Sequence, residues 1–299
     1  MRSYQHRHKG LGFEILDSES EACFVPDQEY ILLDSLIDQV EAKIKFNPKV
    51  ESITKRKRQA LEISKAISDT LAANGFGLYI PTGTLGDALL NRASVSGPER
   101  HIFDCDTGSF IFLTISESLN APVSMVYVPL SSETGHNYVQ WKLDDLHSVN
   151  WDLNGRAECR TPNNLRGNQG KSMTREQTMG YALYLRADIW SERRIYDRAL
   201  GDFRSAMKMD PEDGESYNNF AWMIATKDVP KRSMLVDEAL AAAITSTTLD
   251  ADHYGTLACV YALKGEFLLA LHAESKARSP GHEARLSLFR RSSNCTGLE

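Results

Sequence analysis

The sequence predicts an α+β domain followed by an all-α domain of helical repeats. Apolar residues recur at helical intervals through most of the first hundred residues, and three β-like runs follow between residues 123 and 153. After a stretch rich in Asn, Gly and Arg at 154–172, the sequence becomes helical and internally repetitive. Because each of these regions carries its own apolar pattern, we expect two separately packed regions.

Composition excludes several classes of protein. The 299 residues are 42% hydrophobic and 25% charged, with a net charge of −6, whereas general nucleic-acid binders are basic. No segment approaches the roughly 18 consecutive apolar residues of a membrane span, and the N-terminus lacks the apolar core of a signal peptide. We therefore expect no nucleic-acid or membrane partner and a cytoplasmic location, with export by another route left open.

The five cysteines do not form the pattern of a disulfide-bonded or zinc-binding protein. Cys23, Cys105, Cys159, Cys259 and Cys295 are scattered and odd in number, and no CxxC pair supports a structural zinc site. We expect each cysteine to be a reduced thiol, and no shared motif assigns a role to any of them.

Helical spacing organises the N-terminal part. Residues 1–28 show no sustained periodicity and predict an arm. The segment "EYILLDSLIDQVEAKIKF" follows and predicts a helix, because apolar residues recur at helical intervals: Leu33, Leu36, Ile37, Val40 and Ile44. Asn47-Pro48 ends it, and a second helix runs to Asn74-Gly75. Thr84 and Asp87 have the spacing of a capping box and predict a further short helix.

The middle of the chain predicts one more helix and then a small sheet. "CDTGSFIFLTISESLN" fits a helix of about four turns that begins at Cys105. The runs "VSMVYVP", "HNYVQWKL" and "SVNWDL" follow as strands. The polar turn "DDLH" joins the last two, so they should form an antiparallel hairpin.

Cys105 is the candidate nucleophile. A reactive thiol needs a pKa lowered from about 8.5, and a helix N-terminus favours the anion. Asp104 and Asp106 oppose ionisation if they point at the sulfur, but turned away they can cap the helix. A metal site formed by Cys105, both aspartates and His101 is the weaker alternative, and we expect no metal.

The same pattern offers a histidine and a group to orient it. Of the eight histidines, only His136 starts a strand directly after a glycine-containing polar loop. The hairpin should bring Asp152 within a residue or two of facing His136. Asn150 shares a face with Asp152 by strand alternation and is the fallback orienting residue.

The order of these residues resembles the transglutaminase-like cysteine protease superfamily over residues 85–155. "DCDTGSFIFLTISESLNAPVSMV", "GHNYVQW" and "NWDLN" carry the likeness. It implies a papain/transglutaminase-like core, helices plus a small antiparallel sheet, with Cys105 as nucleophile, His136 as general base and acid and Asp152 as orienting acid. The papain-type oxyanion glutamine is missing from "GPERHIFD". The Cys105 N–H is therefore one oxyanion donor, and Asn91 is a candidate for the second.

The C-terminal part resembles tetratricopeptide repeats, in about three copies over residues 178–283. Small residues recur at a fixed offset, pairing Ala199 with Ala239 and Asp210 with Asp250. The first copy fits best, with Leu183, Ala187, Trp190, Ala199, Phe203, Ala206 and Pro211 in the expected places. Bacterial members that join such repeats to a transglutaminase-like core give the closest resemblance.

These interpretations divide the chain into an arm (1–28), a core (29–160), a linker (161–177), repeats (178–283) and a tail (284–299). They predict a thiol-dependent hydrolase of amide bonds that uses a Cys-His-Asp triad, with no cofactor. A protein or peptide would be the substrate, and the repeat groove would recruit it or a protein partner. The alternatives are a transamidase or deamidase with the same triad, and a catalytically silent repeat-containing adaptor.

Overall fold

A computed structural model describes residues 4–22, 25–78, 83–90, 101–129, 135–153, 157–159, 170–250, 253–277 and 281–298. Helices with two small sheets make up these ranges, as the predicted α+β class requires. The chain divides into two compact units, Met1–Thr178 and Met179–Glu299.

Among its described residues, the first unit contains five complete helices and both sheets. The helices are α1 (Leu11–Ala22), α2 (Asp27–Glu41), α3 (Ile53–Ala73), α4 (Leu85–Leu89) and α5 (Cys105–Ser118). The strands are β1 (Phe76–Leu78), β2 (His101–Phe103), β3 (Val123–Pro129), β4 (Gly135–Lys142), β5 (Ser148–Asp152), β6 (Ala157–Cys159) and β7 (Lys171–Ser172). β1 and β2 pair in parallel, and the other five form an antiparallel sheet in the order β6-β5-β4-β3-β7. The three predicted strands and the hairpin are confirmed.

Two tryptophans fix the β4–β5 hairpin against α3. The indole N–H of Trp141 donates to Ser64 Oγ at 2.8 Å, and that of Trp151 donates to Ser68 Oγ at 2.9 Å. Both serines are buried and lie one turn apart on α3. Buried aromatics whose polar atoms are satisfied in this way hold the hairpin in one position.

The prediction of an arm over 1–28 was wrong for α1. Its Leu11 and Gly12 N–H groups donate to the side chains of Glu117 and Thr114 of α5, each at 2.7 Å. A Cβ at Gly12 would lie 2.5 Å from the Thr114 hydroxyl, so glycine allows this close approach. The helix is held by contacts distant in sequence, which a periodicity search over its own residues does not detect.

The predicted linker at 161–177 lies partly outside the described residues. Its described end contains β7, which pairs with β3 and so belongs to the sheet, and the start of α6 at Arg175. A Cβ at Gly170 would lie 2.5 Å from Val126 Cγ1, which makes glycine the residue that lets the chain approach β3 here.

In the described parts of the repetitive region and of the residues after it, the structure has seven α-helices. They are α6 (Arg175–Glu192), α7 (Tyr196–Met209), α8 (Gly214–Thr226), α9 (Val236–Leu249), α10 (Tyr254–Leu263), α11 (Phe267–Glu274) and α12 (His282–Arg290), with a 3₁₀ turn at Arg232–Met234. The small residues at the repeated positions, Ala187, Ala199, Ala221, Ala239 and Ala258, are fully buried. Small side chains therefore stand where these helices pack closely.

Two predictions about the C-terminal end were wrong. Cys259 of α10 and Cys295 form a disulfide, so they are not reduced thiols. The predicted tail at 284–299 contains most of α12, and Phe289 is buried. Cys259 and Cys295 are 36 residues apart and belong to no local sequence motif, so only the fold brings them together. Because disulfides persist mainly in oxidising compartments, this pair does not support the cytoplasmic expectation.

Within the described part of the chain, no helix combines the length and the apolar character needed to cross a bilayer.

Two buried glutamates lie near the start of α4, and one of them bonds to its backbone. Glu19 accepts hydrogen bonds from the N–H groups of Leu85 and Gly86 at 2.9 Å. Glu29 is 5% exposed, and its Oε2 has no hydrogen-bond partner among the described residues. Burial, followed by the charges of Glu19 and Asp87, raises the pKa of Glu29 from 4.5 to about 8. Glu29 is therefore protonated in the folded protein at neutral pH.

This carboxyl makes stability depend on pH. Between the usual glutamate pKa of 4.5 and about 8, the folded state keeps a proton that the unfolded state releases. Stability contributed by this group is therefore present below pH 4.5 and lost as the pH rises. We expect Glu29→Gln to raise the free energy of unfolding by about 2 kcal/mol or more above pH 8, with little change below pH 4.5. Denaturant unfolding across this range, with the exposed Glu51→Gln as control, measures it; a pH-independent difference would contradict it.

Removing the disulfide should destabilise the second unit. Without the cross-link the unfolded chain regains the entropy of a 36-residue loop, about 4 kcal/mol in the chain-entropy account. We expect the double variant Cys259→Ala with Cys295→Ala to lower the unfolding midpoint of this unit, measured by thermal melting of the full chain. Cys105→Ala is the matched control. A melting curve that coincides with the wild type would refute the stabilising role.

Candidate active site

Cys105 is the first residue of α5, as predicted, and Asp104 caps the helix. The Asp104 carboxylate accepts hydrogen bonds from the N–H groups of Asp106 and Thr107 at 3.1 and 2.9 Å. In return, the Asp104 N–H donates to Thr107 Oγ1 at 3.2 Å, which completes a capping box. The cap fixes where the helix begins and therefore where the thiol lies.

Asp106 is not turned away from the sulfur. Its Oδ1 accepts hydrogen bonds from Cys105 Sγ at 3.6 Å and from the side-chain amide of Asn137. Of the two aspartates that could cap α5, only Asp104 does so, and Asp106 instead faces the thiol. The reason is Asn137, a buried strand residue that holds the Asp106 carboxylate in place.

The surroundings of Cys105 keep its thiol protonated. Burial raises its pKa to about 12, and the negative charge of Asp106 contributes next. A backbone hydrogen bond from Asn137 acts in the opposite direction because it favours the thiolate. Thus the resting site holds a neutral thiol, and ionisation requires either a proton acceptor or removal of the Asp106 charge.

His136 and Asp152 are paired across the β4–β5 hairpin. The register sets Val139 opposite Trp151, which puts Asp152 two residues along from the position facing His136 and on the same face. The two side chains meet with His136 Nε2 3.2 Å from Asp152 Oδ2. The prediction that they lie within a residue or two of facing each other is confirmed.

The pairing fixes the chemistry of the imidazole. An ionised carboxylate only accepts hydrogen bonds, so Nε2 carries a proton and Nδ1 is left as the basic nitrogen of the neutral ring. The hydrogen bond to Asp152 raises the pKa of His136, burial opposes this, and the charges of Asp152 and Asp106 raise it further. His136 is thereby suited to accept and return a proton near neutral pH.

Asn137 connects the strand that carries His136 with the start of α5. It follows His136 on β4, its backbone contacts Cys105, and its side chain contacts Asp106. The charge of Asp106 also contributes to the raised pKa of His136. The structure therefore joins His136 directly to Asp152, and the residue after His136 contacts the turn that holds Cys105.

Asn150 and Asn91 were the other two predicted site residues. Asn150 accepts a hydrogen bond from Gln140 Nε2 at 2.9 Å, while Asp152 holds the histidine. Asn91, the candidate second oxyanion donor, lies outside the described residues. Asn137 was not predicted as a site residue, and its position directly after His136 was the available signal.

The chain matches no protein-family model, and no curated protein is significantly similar to it. The resemblance to transglutaminase-like proteases therefore stays a prediction.

Asp106 should control ionisation of the thiol. We expect Asp106→Asn to lower the pKa of Cys105 by about 1–3 units, because it removes a negative charge beside the sulfur. Asn137→Ala keeps that charge and should not lower the pKa, and the exposed Asp145→Asn should leave it unchanged. Titration of the thiolate absorbance measures all three. An unchanged pKa in Asp106→Asn would show that burial alone sets it.

Proposed function

We propose that the protein is a thiol-dependent hydrolase acting on amide bonds of a protein or peptide. Cys105 is the nucleophile, His136 the general base and acid, and Asp152 the orienting acid. One observation carries this proposal: His136 pairs with Asp152 across β4 and β5, and the next residue of β4, Asn137, touches both Cys105 and Asp106 at the capped start of α5. A thiol at a helix N-terminus, a basic imidazole nitrogen and an orienting carboxylate are the parts that acyl transfer requires.

The proposal includes a fold. The first unit would be a papain/transglutaminase-like core, which is supported by a helix beginning at the cysteine and by the histidine and aspartate on successive antiparallel strands. The second unit would consist of tetratricopeptide-like repeats, which is supported by its helices and by the buried alanines at the repeated positions. Such repeats would recruit a substrate or a protein partner.

The reaction would have two stages. Cys105 Sγ attacks the carbonyl carbon while His136 Nδ1 takes the thiol proton; the C–N bond then breaks, and the amine leaves with that proton. Water next attacks the thioester, with His136 accepting its proton and returning it to the sulfur. The products are a carboxylic acid and an amine, and the free thiol is restored.

The neutral resting thiol determines when the proton moves. With a Cys105 pKa of about 12, a stable thiolate–imidazolium pair is not the starting state. Proton transfer to His136 therefore accompanies attack on the carbonyl. The Cys105 N–H at the start of α5 can donate to the developing oxyanion.

The two alternative functions share different parts of this mechanism. A deamidase or transamidase would share the acyl-enzyme and differ in the amide attacked or in the acceptor. A catalytically silent adaptor would keep only the binding surfaces, and one observation favours it: the raised pKa of Cys105 with Asp106 facing the sulfur.

Comparison of products in a whole proteome tests the proposal. Wild type incubated with cell extract should generate new peptide termini that are absent with Cys105→Ala and with His136→Ala. His147→Ala is the matched control, since His147 is an exposed histidine of the same hairpin and pairs with Asp144. New deamidation or cross-links in place of new termini would favour the related reactions. Identical products for wild type and Cys105→Ala would favour the adaptor.

A further inference from the structure

A group of metal-ligating side chains lies in the second unit, which does not contain the proposed triad. Glu215, Asp250 and His253 each offer one ligand atom, and these three atoms all lie within 4.8 Å of one another. We propose that these three residues bind a divalent transition-metal ion, of which Zn²⁺ is the one that the ligands fit best.

Three helix ends hold the ligands. Glu215 lies in the first turn of α8, Asp250 is the C-cap of α9, and His253 is the N-cap of α10. The backbone there is ordered by hydrogen bonds, from the Asp250 N–H to the Ser246 carbonyl at 2.7 Å and from the His253 N–H to the Asp250 carbonyl at 3.3 Å. The ligand positions are therefore set by the packing of α8, α9 and α10 before any ion binds.

The hydrogen bonds of His253 define which nitrogen is available. Its Nδ1 lies 3.3 Å from the carbonyl oxygen of Ser246, which can only accept, so Nδ1 carries a proton. In the neutral ring Nε2 is then an acceptor, yet it faces Glu215 Oε1 at 3.4 Å. A carboxylate oxygen and an imidazole nitrogen at this distance can share a cation, which is either a proton or a metal ion. A ligating histidine whose other nitrogen donates to a backbone carbonyl is the usual arrangement around protein-bound metals.

The imidazole is also held sterically. His253 is 8% exposed, and its Cε1 would lie 3.3 Å from a Cβ built on Gly214. The absence of a side chain at residue 214 thus gives the ring its place beside α8. Because the ring position is fixed in advance, little conformational entropy is lost when Nε2 coordinates an ion.

The donor set selects the class of ion. Mg²⁺ and Ca²⁺ prefer oxygen ligands alone, whereas one imidazole with two carboxylates suits Zn²⁺ and its neighbours among the first-row metals. Three protein ligands leave one position of a tetrahedral site for water or another ligand. The Glu215 side chain is 34% exposed, so solvent reaches the site. The Asp213 carboxylate, which caps α8 beside Glu215, adds further negative charge.

A proton on His253 is the alternative to a metal ion between His253 and Glu215. If His253 is charged, it forms an ion pair with Glu215 and no metal is needed. The two cases differ in a measurable way, because a metal site binds zinc at one equivalent per chain and an ion pair does not.

Isothermal titration of the full-length protein with Zn²⁺ tests the proposal. Zinc also binds thiolates, so every protein carries Cys105→Ala and is treated with iodoacetamide. We expect one equivalent to bind, with affinity reduced at least about 10-fold in His253→Gln and in Glu215→Gln. The control is His272→Gln, a change of an exposed histidine on α11, which should bind as the parent does. Zinc should also raise the melting temperature of the parent and the control, but not of the two ligand variants.

Two results would overturn the proposal. One is a parent protein that binds no zinc; the other is equal zinc affinity in the parent, His253→Gln and Glu215→Gln. Circular dichroism without metal establishes that each variant is folded. If His253→Gln is not folded, Asp250→Asn replaces it, since Asp250 is only partly buried and its loss should weaken binding as well. Co²⁺ in place of Zn²⁺ gives a further readout, because its absorption distinguishes an imidazole–carboxylate site from a thiolate site.

Discussion

The register of the β4–β5 hairpin is the constraint on which the proposed chemistry depends. It brings His136 and Asp152 to one face, and a slip of one residue would send them to opposite faces. Trp141 and Trp151 prevent such a slip because their indole nitrogens are bonded to two serines one turn apart on α3. Core packing thus determines the geometry of the pair, which lies where β4 begins and β5 ends.

The start of α5 combines two opposing effects on the thiol. The capped helix N-terminus places Cys105 where backbone dipoles favour an anion. Burial and the facing Asp106 disfavour the same anion, and the raised pKa shows that they prevail in the resting protein. Since His136 has a raised pKa, it can accept the proton when the sulfur attacks. In the proposed mechanism, the neighbouring carboxylate limits nonspecific reactivity of the thiol and leaves proton transfer to His136 as the route to attack.

Local signals in the sequence predicted much of the fold and of the site. Alternating apolar residues identified the strands, the polar turn identified the hairpin, and Asp104 marked the beginning of α5. Contacts between distant segments were not predictable in this way. Helix α1 is held by side chains of α5, the Cys259–Cys295 pair is joined only by the fold, and the Asp106–Asn137 contact needs the docking of α5 on β4.

The proposed metal cluster shows the same limit. Glu215 is separated from Asp250 and His253 by more than 30 residues, and none of the three belongs to a ligand motif that can be recognised in the sequence. Their convergence follows from the packing of α8, α9 and α10, which the repeat pattern indicates only in outline. Spacing alone therefore found the residues at the start of α5 and on the neighbouring strands, and it missed a cluster assembled from three helix ends that are distant in sequence.

The rate at which iodoacetamide alkylates Cys105 tests the central claim most directly. The triad requires His136 to take the thiol proton, so the wild-type rate at neutral pH should exceed that of His136→Ala by about 100-fold. The His147→Ala control should react like the wild type. Equal rates in wild type and His136→Ala would show that the histidine does not serve the thiol, and that result would contradict the proposed enzyme.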